Sequence, residues 1–262
     1  VSNREQAKDT RRRRIVRAAR VLMQKTGDTG FSMRALADEA GVSIATPYNL
    51  FGSKQSIMFA VLDADLEQYQ RRLAKLRVDE LDVFFKAVTL TTSLFSTEPA
   101  FYRAVLFAVY NDGGREFRSM FGGPRHAMWK GMVQDAVNAG FLLDTVEPDA
   151  FAINLGRTFF SAILEWVSGD MSLAELEAWV QYGFALSLSA MATRASSDRL
   201  HDKAIAQQVR LRKLWKKRLA QTQIVGAITV RRPGAFISRS KSDRKNRDLT
   251  IAPTSQPVKS SR

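Results

Sequence analysis

An all-α fold is predicted by three observations. Apolar residues recur at helical spacing over most of the first two hundred positions, glycine and proline stand between those stretches, and no segment alternates with a period of two. The chain has 262 residues, 45% of them hydrophobic, which is enough to bury a sizeable core. The expected architecture is a small three-helix head over residues 1–55 and a larger helical-bundle body over 56–197. A basic C-terminal extension follows over 198–262, helical at first and then, by composition, a disordered tail.

The first helix is expected over about residues 10–25. Ile15, Ala18, Ala19, Leu22 and Met23 fall at i, i+3, i+4, i+7 and i+8, a single apolar stripe. Ser32 is a suitable N-cap for the next helix, in which Leu36, Ala37 and Ala40 carry the helical spacing. Gly41 ends it, because glycine enters the left-handed region without strain. Val42 then tucks the turn onto the core, and Ser43 is the next candidate N-cap, for a helix reaching about Phe51. Two caps around one glycine leave room for little but a tight turn, so residues 31–54 read as a helix-turn-helix. Such a module places its second helix in the DNA major groove.

The body follows as a long connecting helix over 53–76 and further helices at about 80–97, 99–111, 115–140, 148–168 and 172–195. Pro99, Gly113, Gly114, Pro148 and Gly169 delimit them, and Gly122, Gly123 and Pro124 interrupt the fourth. Residues 199–222 form a basic amphipathic helix with Leu200, Ala204, Leu211, Trp215 and Leu219 on one side. Beyond Val225 the sequence turns to Arg, Lys, Ser and Pro.

The run from Thr46 to Lys54 resembles the end of the helix-turn-helix in the TetR family of bacterial transcription regulators. Thr46, Tyr48, Phe51, Ser53 and Lys54 carry the resemblance, with Phe31, Arg34, Leu36, Ala37, Gly41 and Val42 upstream. Motif-level similarity covers about residues 10–58; the body is similar in length and helical content only. Two positions depart from the family pattern. Pro47 stands where an aliphatic residue is usual, near enough to a helix start for its missing N–H to be tolerated. Leu50 stands where relatives often carry a phosphate-touching histidine, and is assigned no contact.

The motif implies double-stranded DNA as a partner. Arg34, Ile44, Ala45, Tyr48 and Asn49 are the candidate base-edge readers, and Arg34 has the geometry to pair with a guanine. Thr46, Tyr48 and Lys54 are the candidate phosphate contacts. Arg11, Arg12, Arg13 and Arg14 read either as an arm reaching phosphates or the minor groove, or as a solvated helix end. Charge supports the assignment. Residues 1–58 hold eleven Lys or Arg against five Asp or Glu, residues 59–202 thirteen against nineteen, and residues 203–262 sixteen against two. A basic head above an acidic body suits a polyanion held at one end of the molecule.

The resemblance also implies a homodimer and a small-molecule effector. Phe159, Ile163, Trp166, Trp179, Gly183, Phe184 and Ser187, on the last two helices of the body, are the expected dimer face; ordinary protomer core is the alternative. Phe107, Tyr110, Phe121, Met128, Trp129, Met132 and Phe160 are expected to line a largely apolar effector pocket, and they suit a plain core equally well. His126, beside Arg125, offers a polar handle.

Other classes find less support. The chain has no cysteine and two histidines, His126 and His201, so no catalytic residue, metal site or cofactor is expected. Gly52, Ser53 and Lys54 lack the order of a phosphate-binding loop. No apolar run approaches the roughly 18 residues of a membrane span and the N-terminus shows no signal-peptide core, so a cytoplasmic protein is expected. The sequence thus leads to a transcriptional regulator, with repression released by an effector as the family default. The competing reading is a protein that binds DNA by charge alone.

Overall fold

The computed structural model describes residues 3–26, 29–111 and 123–230. Among them are ten helices and no strand. They are α1 (Asn3–Thr26), α2 (Met33–Ala40), α3 (Ala45–Phe51), α4 (Lys54–Leu73), α5 (Asp82–Thr97), α6 (Pro99–Asn111), α7 (Gly123–Asn138), α8 (Pro148–Ser168), α9 (Leu173–Ala190) and α10 (Arg194–Val230). The chain divides into two compact units, Val1–Leu219 and Ala220–Arg262.

Most boundaries follow local chemistry. The Ser32 hydroxyl accepts from the Ala35 amide, and Gly41 closes α2 at φ 59°. Ser53 caps α4 by accepting from the Ser56 amide, and Ser172 with Glu175 makes a reciprocal capping box at α9. Three expectations are corrected. Helix α1 starts at Asn3 rather than near residue 10, extended by polar residues that are exposed on the way. Ser43 is not the cap of α3: Ile44 holds that position without a side-chain bond, and the Ser43 hydroxyl pairs with that of Thr46 at 2.8 Å. Pro47 thereby falls in the first turn of α3, where the helix needs no N–H from it, and its ring is buried. The C-terminal helix begins at Arg194 and runs past Val225 to Val230.

Helix α1 packs on α2 and α4, and α4 touches α3 on one side and α5 and α6 on the other. Helix α8 lies between α7 and α9 and also meets α6, while α9 packs on α5. Buried side chains run continuously from Ile15, Met23 and Leu36 through Ile57 and Val61 to Phe84, Val105, Leu155 and Leu188. At the α8–α9 crossing a Cβ on Gly183 would stand 2.9 Å from the Thr158 methyl, so this glycine permits close approach within the protomer.

Helix α10 is held by two devices. Leu200, Ala204 and Leu211 are buried, whereas Trp215 and Leu219, expected on the same face, are exposed. Charged contacts flank the buried stripe. Arg199 pairs with Asp79 at 2.6 Å and Asp82 at 2.7 Å, Lys203 with Asp82 at 2.9 Å, and Arg210 with Glu177 at 2.6 Å. Burial works against the Asp82 charge, but hydrogen bonds from Lys203 and Arg199 outweigh it and hold the carboxyl below its ordinary 3.8. A depressed carboxyl stabilises the attachment above pH 3.8 and ceases to do so as the pH falls below it. Asp82→Asn is therefore expected to speed hydrogen exchange in α10 at neutral pH, with the difference from wild type vanishing in acid. Leu200→Ala should lower global stability by about 2–4 kcal/mol in urea denaturation, the usual cost of emptying a buried leucine site.

Candidate nucleic-acid interface and the cavity in the body

The head presents one polar face. Arg34 on α2 and Ile44, Ala45, Tyr48 and Asn49 at and along α3 are exposed, while Thr46 and Lys54 are half-buried. Ile44 and Tyr48 are 48% and 49% exposed, on a helix whose other side carries buried Pro47. The five candidate base readers are thus all accessible, and Leu50 faces inward enough to pack on the core.

The arginine run of α1 separates into different roles. The Arg12 guanidinium lies 4.3 Å from the centre of the Phe51 ring and donates to the Leu50 carbonyl, which satisfies an end of α3. Arg14 donates to the Gly41 carbonyl at 3.1 Å. Arg13 pairs with Asp9 at 2.8 Å on the surface. Arg12 and Arg14 therefore brace the end of α3 and the central turn of the helix-turn-helix from α1, which the sequence alone did not suggest. The Lys54 ammonium sits 4.4 Å from the centre of the Phe31 ring, which fixes it beside the start of α4. Arg12→Met is expected to loosen α3, seen as faster amide exchange at residues 48–52, whereas Arg13→Met should leave those amides unchanged.

The body has a partly open cavity of about 150 Å³ among α4, α5, α6, α7 and α8. Of the residues expected there, Met128, Trp129 and Phe160 line it. Met132 is buried but does not reach the cavity, and Phe107 and Tyr110 stand on the exposed side of α6, 51% and 42% accessible. Phe121 lies outside the described residues. His126 and Arg125 do line the cavity. Both are engaged by acids, His126 with Asp149 at 2.8 Å and Arg125 with Asp63 at 2.8 Å.

Four of the residues expected at a dimer face belong to the protomer interior instead. Phe159 and Ile163 line the cavity, Phe184 packs edge-on against Trp129 at 5.4 Å, and Trp166 stacks on Phe95 at 5.1 Å. Arg103 covers the Trp166 ring at 5.1 Å. Trp179 is exposed; Gly183 and Ser187 are half-buried between α8 and α9, where Asn154 donates to Ser187 at 3.2 Å.

The contribution of α4 to the cavity was not expected, nor was that of α6 through Tyr102 rather than Phe107 and Tyr110. Leu62, Asp65, Leu66 and Tyr69 all line it, and Tyr102 joins them from α6. The signal was present: the four α4 residues stand at i, i+3, i+4 and i+7, so a carboxylate occupies an otherwise apolar stripe. Asp65 accepts from Tyr102 at 2.9 Å and from Arg20 of α1. Arg20 also reaches Glu98 at 3.4 Å and lies 4.8 Å from the centre of the Phe101 ring. Burial opposes the Arg20 charge, yet its bonds to Asp65 and Tyr102 prevail and raise its pKa above the ordinary guanidinium value. The Tyr102 hydroxyl is pushed up to about 12, chiefly by burial. It stays protonated and donates.

A helix-turn-helix head with an accessible second helix, on a helical body with a mostly apolar cavity, has the form of a DNA-binding regulator. Residues 15–61 match the family model of bacterial regulatory proteins of the tetR family, so the head is similar to the DNA-binding module of that family. No curated protein matches the sequence. Among solved structures, the fold is similar to that of RolR in complex with its ligand resorcinol, at 18% identity, with 76% of this chain and 95% of that one covered and a TM-score of 0.57. A TetR transcriptional regulator from Rhodococcus sp. RHA1 aligns at 19% identity over 73% of this chain and 100% of its own, with a TM-score of 0.54. Full-length TylP, a TetR regulator from Streptomyces fradiae, aligns at 21% identity over 78% and 98%, with a TM-score of 0.52. Among the described residues no helix is long and apolar enough to cross a membrane, and no cluster of His, Asp or Glu could hold a metal ion.

Proposed function

We propose that the protein is a homodimeric repressor that binds a palindromic operator and is released by a small, largely apolar effector. The observation that carries this reading is the accessible row Arg34, Ile44, Ala45, Tyr48 and Asn49 on a basic head, which nothing among the described residues covers. In this reading α3 enters the major groove. Arg34, Tyr48 and Asn49 read base edges, and Thr46, Tyr48 and Lys54 hold phosphates. Accessible Trp179, Leu186 and Met191 on and just after α9 support a two-fold contact on that side of the body. The cavity, of about 150 Å³ and mostly apolar lining, supports an effector of at least one ring, since an apolar cavity of that volume holds benzene. RolR, bound to resorcinol, supports the same size class.

Charge-driven binding without sequence preference is the competing reading, favoured by the net +14 of the chain. Selection of bound sites from random duplexes at physiological salt separates the two. Enrichment of a palindrome with at least about a thousandfold preference over random DNA is expected; its absence would leave charge-driven binding. On the selected duplex, Lys54→Ala should weaken all sequences about equally and flatten the salt dependence. Arg34→Ala should relax the preference at one base pair, by about 1–3 kcal/mol.

A further inference from the structure

The cavity has one polar end that is not closed by its own hydrogen bonds. Of its polar lining groups, Tyr69 and Thr91 donate to the Ala87 carbonyl, at 2.8 and 3.0 Å, and so face backbone. Arg125 is committed to Asp63 and to the Phe59 ring, 4.9 Å away, and His126 to Asp149. Asp65 is different. A carboxylate offers about four acceptor positions, and the contacts that hold this one are Arg20 on one oxygen and the Tyr102 hydroxyl on the other. Its side chain is 15% exposed and borders the cavity on one side and, with Arg20, a polar groove between α1 and α4 on the other.

Resting on the reading of this cavity as an effector site, we infer that it selects a single-ring compound carrying an O–H or N–H donor, and that Asp65 is the group that recognises it. The donor takes an open acceptor position of Asp65 beside the Tyr102 hydroxyl, which leaves the rest of the ring against Leu62, Leu66, Phe159 and Ile163. A carboxylate-bearing ring is excluded by the same geometry, because it would meet Asp65 with like charge while Arg125 is already neutralised by Asp63. Recognition and release are one event here. Asp65 is also the carboxylate that Arg20 of α1 binds, so a ligand that draws on it weakens the tie between the cavity and the helix that braces α3.

Three probes test this by calorimetry on the full chain: phenol, toluene and benzoate. Wild type is expected to bind phenol about tenfold or more tightly than toluene, the value of one hydrogen bond to a charged acceptor, and benzoate more weakly than either. Asp65→Asn should abolish the preference for phenol while leaving toluene binding unchanged, which also shows that the cavity still forms. Tyr102→Phe removes the neighbouring donor on Asp65 and should strengthen phenol by up to about tenfold, an effect that damage to the fold cannot produce. On the selected duplex, phenol should lower wild-type affinity and toluene should not; Arg20→Met should bind phenol yet leave DNA affinity indifferent to it. Equal binding of phenol and toluene, tightest binding of benzoate, no binding of any probe, or equal release by toluene would each overturn the inference. Failure to select any palindrome would instead overturn the proposed function, and the probe affinities alone would still decide the role of Asp65.

Discussion

Helix α4 has to satisfy two sets of neighbours at once, and the shared carboxylate of Asp65 marks where they meet. The helix packs on α1 and α3 of the head and on α5 and α6 of the body, so its six buried residues, Ile57, Met58, Val61, Leu62, Tyr69 and Leu73, serve both. Interposed in that apolar series, Asp65 binds Arg20 of the head and Tyr102 of the body. A charge so placed is tolerated only because both oxygens are partnered, and losing either partner leaves a polar atom with no equivalent substitute. Glu98 supports the same arrangement by accepting from Gln24 at 2.8 Å and pairing with Arg20.

From this junction the aromatic packing extends in both directions. Arg20 lies over Phe101, which meets Tyr102 edge-on at 5.0 Å; Tyr102 contacts Phe95 at 4.9 Å, and Phe95 stacks on Trp166. These rings tie α1 to α5 and α8 through close-packed surfaces that respond to displacement as a unit. The head adds its own bracing, in which Arg12 and Arg14 reach the ends of α3 and α2 from α1. Motion of α1 therefore acts on the helix-turn-helix through hydrogen bonds to main-chain carbonyls, a coupling that is stiff because the acceptors belong to the backbone.

The C-terminal helix shows how charge can fasten an element with little apolar surface to bury. Three buried apolar residues, Leu200, Ala204 and Leu211, are flanked by arginine and lysine pairs to Asp79, Asp82 and Glu177. The same basic character that makes residues 203–262 read as an extension thus includes groups whose partners lie on the acidic body. Part of the charge contrast between segments is internal complementarity, and only the exposed remainder is free to meet other molecules.

By itself the sequence determined the all-α class, the two helices and glycine turn of the head, and the residues of the polar face on α3. Those properties are local: caps, a left-handed glycine and helical spacing act within a few residues, and the side of a short helix opposite its buried proline is necessarily the accessible one. Only the tertiary structure decided how the aromatic residues of the body are used. Phe107 and Phe159 belong to equally plausible helical stripes, yet one is exposed and the other lines the cavity, because burial depends on which helix crosses which. The same holds for Arg12 and Arg20, whose partners lie 38 and 45 positions away. Asp65 stood in the apolar stripe of α4 as a visible anomaly, but its meaning required the approach of α1 and α6, which no local pattern encodes.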